Sequence, residues 1–289
     1  SKSGEVMLIK FDDDAFSSGE IYGIVGSGYG ASNLDIDDQL DDNDQFGRGI
    51  SLDRDGDRMA VTSTYDDGSD DLQTNTGAVY LFTFADTNFS TPEFKGKIGK
   101  GYTGSNNLDI NSLADNERAW RVALDGDGDR LAFSGYRTTT GAIETGSVYL
   151  VTFGDNFSTP EHVGTIGRSY SSDNEHNLSI STLDDRDLFT SVALTDDGSG
   201  LVVGAQRDDG YDDTATNAGA VHLIRFSNTD FDNPNHVGTI GSGYTGNNNE
   251  NISSILDNND NFASHIALTK DGKILAVGTH KDDGFDGNY

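Results

Sequence analysis

Residues 124–130 read LDGDGDR, three aspartates at alternate positions separated by glycines. Such a stretch is either a calcium loop or a tight turn between two strands, and recurrence along the chain decides between them. The same place returns four times: RGISLDRDG from Arg48, WRVALDGDG from Trp120, TSVALTDDG from Thr190 and SHIALTKDG from Ser264. The third and fourth copies keep too few acids to hold a cation. All four keep an Asp-Gly pair between two strand-like runs, the strongest short-range hairpin signal. The stretch is therefore a turn first, and a calcium site in the first two copies is an addition to it.

Working outward, GEVMLIKF from Gly4, GAVYLFTF from Gly77, GSVYLVTF from Gly146 and GAVHLIRF from Gly219 set a period near 72 residues. Behind each comes a second run, GIVGSGYG, GKIGKGYTG, GTIGRSY or GTIGSGYTG, so each period holds four strand-like runs. Four short antiparallel strands repeated in this way predict an all-β, β-propeller-like fold over 1–289, with units starting near 4, 77, 146 and 219. In the second unit the strands fall near Val122–Leu124, Leu131–Phe133, Val148–Phe153 and Val163–Ile166. The phenylalanine pairs 11/16, 84/89, 153/157 and 226/231 bracket a hairpin and are expected to pack between units. The end of the chain also joins its beginning in register. DDGYDDTATNAGAV in the third unit matches DDGFDGNY followed by SKSGEV. That register fits a closed four-bladed ring whose N-terminal strands complete the last blade, or a window of a longer array.

Composition supports a strand-and-turn protein. Of 49 acidic residues 41 are Asp, which favours turns, and 36 glycines punctuate the runs. A net charge of -30 sets the chain against nucleic acid and anionic membranes and in favour of cations. It also suits a saline exterior, and the opening SKSGEV, without methionine, reads as a mature or excised segment. The absence of cysteine removes disulfides and thiolate sites. No run is long and apolar enough for a membrane-spanning helix.

The stretch QFGRGISLDRDGDRMAVTSTYDDG…TGAVYLFTF, from Gln45 to Phe84, resembles the FG-GAP repeat of integrin α-chain propellers and of large bacterial surface adhesins. Phe46 and Gly47 match the FG element, with Trp120, Phe189 and Phe262 aligned to Phe46 in the later copies. The resemblance implies a secreted or cell-surface adhesive module stabilised by calcium. In that family the calcium loop alternates carboxylates, because Ca²⁺ takes six to eight oxygens. Asp53, Asp55 and Asp57, and Asp125, Asp127 and Asp129, supply the alternation, although Met59 and Leu131 stand where a closing acid belongs. A second acidic place gathers Asp66, Asp67 and Asp70 with Asp71, and Asp208, Asp209 and Asp212 with Asp213. It is absent from the second unit, which reads YRTTTGA. A third cluster begins at Leu34 and is a turn or short cap.

Other motifs are weaker. GSGYG at 26 imitates a dinucleotide fingerprint but recurs without a following helix. Tyr29, Tyr102, Tyr170 and Tyr244 share one repeat position and are candidate sugar platforms. Trp120, the sole tryptophan, lies in the most deviant unit between arginines and marks the candidate ligand pocket. The six histidines show no zinc-ligand spacing, and no acid pair stands apart from the turns, so no enzyme is expected. The expectation is a structural or adhesive extracellular module that associates with itself or with other surface components. The alternative is a lectin-like, glycan-binding propeller.

Overall fold

The computed structural model describes residues 3–30, 33–138, 144–171 and 173–284. The residues that carry the wrap-around register, 1–2 and 285–289, lie outside them.

β1 (Glu5–Lys10), β2 (Glu20–Gly26) and β3 (Leu34–Asp35) form a three-stranded sheet. The first complete unit is β4 (Phe46–Leu52), β5 (Arg58–Ser63), β6 (Ala78–Thr83), β7 (Glu93–Gly99) and β8 (Leu108–Asp109), paired in that order. The second repeats it with β9 (Ala119–Leu124), β10 (Arg130–Gly135), β11 (Ser147–Gly154), β12 (Ser158–Gly167) and β13 (Leu178–Ser179). The third is β14 (Phe189–Leu194), β15 (Gly200–Ala205), β16 (Ala220–Arg225), β17 (Asn235–Gly241) and β18 (Glu250–Asn251). β19 (Phe262–Leu268) and β20 (Leu275–Thr279) form a final hairpin. The four expected strands per unit are present and antiparallel. A two-residue fifth strand, parallel to the fourth, is an addition that the sequence did not announce.

The fold is all-β and propeller-like, and its core lies between sheets. Every residue of β6 is buried, because Val79 and Leu81 face the second unit while Ala78, Tyr80 and Phe82 face the β1–β3 sheet. A strand covered on both faces reads as a continuous apolar run, which is why GAVYLFTF and its copies stand out. Four apolar layers result, each shared by two neighbouring sheets. The phenylalanine pairs meet edge-on with ring centroids 4.8–5.2 Å apart. Phe226 and Phe231 sit in the layer between the second and third units, as expected of inter-unit packing. β1 has β2 as its strand partner and β20 has β19, so the N-terminal strands do not complete the last sheet in this structure.

One glycine per unit sets the distance between sheets. Gly4, Gly77, Gly146 and Gly219 all have φ between 76° and 94°. A Cβ on any of them would overlap the backbone of the residue that opens the next sheet, namely Phe46, Ala119, Phe189 or Phe262. The second unit therefore places Ala119, not Trp120, at the position of Phe46, and the alignment of Trp120 to the FG element is corrected. Gly146→Ala is expected to destabilise the protein by about 3 kcal/mol, the sum of the left-handed backbone penalty and overpacking. Urea unfolding of the variant against the parent measures it.

Candidate functional site

The four Asp-Gly turns lie side by side. The Arg54 N–H donates to the Gly126 carbonyl at 3.0 Å, Gly126 N–H to Asp196 at 2.8 Å and Asp196 N–H to Lys270 at 2.8 Å. These are equivalent residues of successive turns, so the turns form one hydrogen-bonded series. The Arg54 guanidinium crosses it, donating to Asp127 at 2.9 Å and to Asp196 at 2.9 and 2.5 Å. Gly126 is the residue that lets it pass, since a Cβ there would overlap both Arg54 and Asp196. Asp53 accepts the N–H groups of Gly56 and Arg58. Asp125 accepts from the Arg130 backbone and guanidinium, and Asp129 from the same guanidinium at 2.5 Å. Asp55 is exposed, and Asp57 faces Asp53.

Asp53, Asp125, Asp127 and Asp129 are thus held by arginines and turn amides, while Asp55 points to solvent. Burial, reinforced by Asp57, pushes Asp53 up to about 6, and burial with Asp129 does the same to Asp125. In the third turn Asp197 accepts from Thr195 and Ser199 hydroxyls, which hold it down at about 2.

The second acidic place is built inward. Asp66, 2% exposed, accepts from the Gly68 N–H and from the hydroxyls of Tyr102 and Tyr80 at 2.7 and 2.9 Å. Asp208 accepts from Gly210 and from Tyr244 at 2.9 Å, with His222 Nε2 3.8 Å away. Asp67 and Asp209 tie down the N–H groups of Asn75 and Asn217 across their loops. Asp70 and Asp212 make local turn contacts with Leu72 and Thr214. The nominated aspartates are therefore loop locks. Among the described residues, the His/Asp/Glu group with ligand atoms within 4.8 Å of one another is instead Glu175, His176 and Asp232.

A third set of carboxylates, treated as part of a cap in the sequence, is buried in every unit. Asp44, Glu117, Asp187 and Asp260 occupy one repeat position, at 1–4% exposure. Each accepts the backbone N–H three residues earlier, at 2.7–2.9 Å. In the second unit Thr138 replaces Asp66, and the longer Glu117 reaches across to the hydroxyls of Thr138 and Tyr149. Burial pushes Asp44 up to about 7 and Asp187 to about 9, the latter with Asp208 adding repulsion. Asp208 itself sits at about 6, raised chiefly by burial. The first unit sets Lys97 nearby, its ammonium over the rings of Tyr80 and Tyr102 at 4.6 and 4.7 Å. The third unit has Thr239 there. The signal in the sequence was the acid recurring just ahead of each first strand.

The recurring tyrosines are engaged within their own units. The rings of Tyr29, Tyr102, Tyr170 and Tyr244 pack on Gly26, Gly99, Gly167 and Gly241, where a Cβ would lie 2.8–3.1 Å from them. Their hydroxyls go to Glu5, Asp66, Ser147 and Asp208. Trp120 is stacked on Tyr136 at 4.4 Å and 16°, with the Arg48 guanidinium at 4.0 Å from the ring centroid. The indole thus already carries an aromatic and a guanidinium contact from the chain itself.

No family model and no curated protein matches the sequence. Solved structures with a similar course of the chain include a putative 6-phosphogluconolactonase from Bacteroides uniformis, at 10% identity and TM-score 0.42, covering 81% of this chain and 50% of that one. KlAtg21, solved with the coiled coil of AgAtg16, matches at 13% and 0.40, covering 79% and 49%. The periplasmic gluconolactonase PpgL of Pseudomonas aeruginosa matches at 12% and 0.39, covering 96% and 72%. The chain spans about half the length of the first two, and these distant likenesses assign no residue a role.

The raised carboxyls have a consequence for stability. Asp53, Asp125, Asp208, Asp44 and Asp187 keep protons in the folded state that the unfolded chain has released. Their contribution is full below about pH 4 and is lost as pH rises through 6 to 9. The melting temperature is expected to fall between pH 5 and pH 9. Asp187→Asn keeps the acceptor for the Asp184 N–H and removes the upper part of that fall. The variant should melt about 3 °C above the parent at pH 9 and level with it at pH 5, read by calorimetry.

Proposed function

We propose that the chain is a non-catalytic structural repeat module that acts outside the cell, in an adhesive or surface polymer, by joining end to end with copies of itself. The observation that carries this reading is the complementarity of the two end sheets. β1–β3 correspond to the last three strands of a five-stranded unit, and β19–β20 to its first two. The register of β5 on β6 translates into Thr279 opposite Glu5, Val277 opposite Met7 and Leu275 opposite Ile9. Met7, Ile9 and Ile21 are 48–60% exposed, at the face that Tyr80 and Phe82 bury in the first unit. Ile274 at the other end is 67% exposed. An apolar face of this kind on a chain of charge -30 needs a partner to cover it.

Calcium enters this reading through the exposed loops. Asp71 faces Asp41 and Asp213 faces Asp184, like charges that a divalent ion screens. The first pair opens on a polar cleft of about 510 Å³ that also holds Asp37 and Asp38. Chelator-treated protein is expected to melt lower than calcium-replete protein, and to form fewer oligomers on native mass measurement.

The joining is tested with cysteines, of which the chain has none. Met7→Cys combined with Val277→Cys should give a disulfide-linked ladder under oxidising conditions, growing with protein concentration. A cross-link confined within single chains would mean ring closure and would sink the end-to-end reading.

A further inference from the structure

The chain carries 19 Lys and Arg against 49 Asp and Glu, yet four of those cations meet in one cavity. The cavity, of about 350 Å³, opens where β4, β9 and β19 converge, and Arg48, Trp120, Arg121, Arg207, His265 and Lys281 line it. Among the described residues no carboxylate lines it. Elsewhere arginines hold acids: Arg54, Arg130, Arg137 and Arg168 each do. Arg48, Arg121, Arg207 and Lys281 hold none among the described residues.

Irregular strands gather these side chains. Register shifts interrupt the pairing of β4 between Phe46 and Ile50, of β9 beside Ala119 and Arg121, and of β19 between Phe262 and His265. Bulges re-aim side chains, and here they bring Arg121 Nη2 to 3.3 Å from His265 Nε2. Arg121 also donates to the carbonyls of Arg48 and Trp120 at 2.9 and 3.2 Å, which fixes its fork. The Arg48 guanidinium carbon lies 4.0 Å from the Trp120 ring centroid, and Tyr136 stacks on the indole. Burial and Arg48 weaken the hold of Arg121 on its proton, and burial, Arg121, His280 and Arg48 do the same to His265. The group repels itself, and this chain supplies no counter-charge to it among the described residues.

We propose that this cavity is a binding site for a small, multiply charged oxyanion: a phosphate, a sulfate or a compact polycarboxylate. Guanidinium forks match the planar or tetrahedral oxygens of such groups two at a time. Trp120 serves as the support that holds Arg48 in place through cation–π contact. Long polyanions are kept out by the surrounding acidity, whereas a compact anion fits the volume and neutralises four charges at once.

Trp120 is the only tryptophan, so its emission reports on Arg48 directly. The test is a titration of the intact chain with citrate, phosphate and sulfate in turn, each against chloride at matched ionic strength. At least one oxyanion should change the emission saturably, with half-saturation at or below about 1 mM. Arg207→Gln, which removes a cation without touching the indole, should raise that value at least about tenfold. Arg121→Gln should do the same, while Lys273→Gln, at the exposed fourth turn, should leave it unchanged. The preferred probe separates a carboxylate ligand from a phosphate or sulfate. Absence of a saturable change with all three, an equal response to chloride, or an unchanged response in Arg207→Gln would each overturn the proposal.

Discussion

Everything in this fold follows from how closely neighbouring sheets approach. The tightest contact recurs at one backbone point per unit, where Gly4, Gly77, Gly146 or Gly219 in a left-handed conformation meets the first residue of the next sheet. With the sheets held at that distance, the middle strands are covered on both faces, and the core becomes a series of apolar layers instead of one central mass. Each layer is owned by two units. A unit alone would leave both faces of its central strands in water, which is why the motif repeats.

The close approach also explains where the charge goes. Loops between tightly stacked sheets have little room for water, so the acids that enter them must find partners. Tyrosine hydroxyls, turn amides and the odd lysine supply these for Asp66, Asp208 and Asp44. The turns at the other end of the strands use arginines, with Arg54 serving two units other than its own. Alternate aspartates around a glycine invite a metal reading. Here Gly126 is small to let a guanidinium through, and the negative charge of Asp127 and Asp196 is met by the protein itself.

Much of the fold was legible because strands buried on both faces leave continuous apolar runs at a fixed period. The four-strand unit and the Asp-Gly hairpins could be read directly, and so could the phenylalanine pairs. The two-residue fifth strands were not, since Leu108–Asp109 and its equivalents are too short to show a strand period, although NLDI, NLDI, NLSI and NENI recur there and Asp35, Asp109, Ser179 and Asn251 each accept a turn N–H. The site was legible only in part. Trp120 between arginines did mark a pocket, but its alignment was off because β4 and β19 carry one more residue in their bulges than β9 and β14. The packing of the tyrosines was not legible, because a recurring aromatic looks the same in sequence whether it meets a ligand or, as Tyr102 and Tyr244 do, a buried carboxylate. Arg207, His265 and Lys281 were silent, being assembled from units far apart in the chain.

The hydrogen-bonded series through Arg54, Gly126, Asp196 and Lys270 runs one way, each amide pointing to the next turn's carbonyl. The series therefore has polarity, with a carbonyl at its start and an amide at its end. Two copies meeting through the same end would bring donor against donor or acceptor against acceptor. Any assembly that prolongs the series is head-to-tail, a heterologous contact that closes into a ring or winds into an open helix according to the angle between successive copies, and never a two-fold dimer.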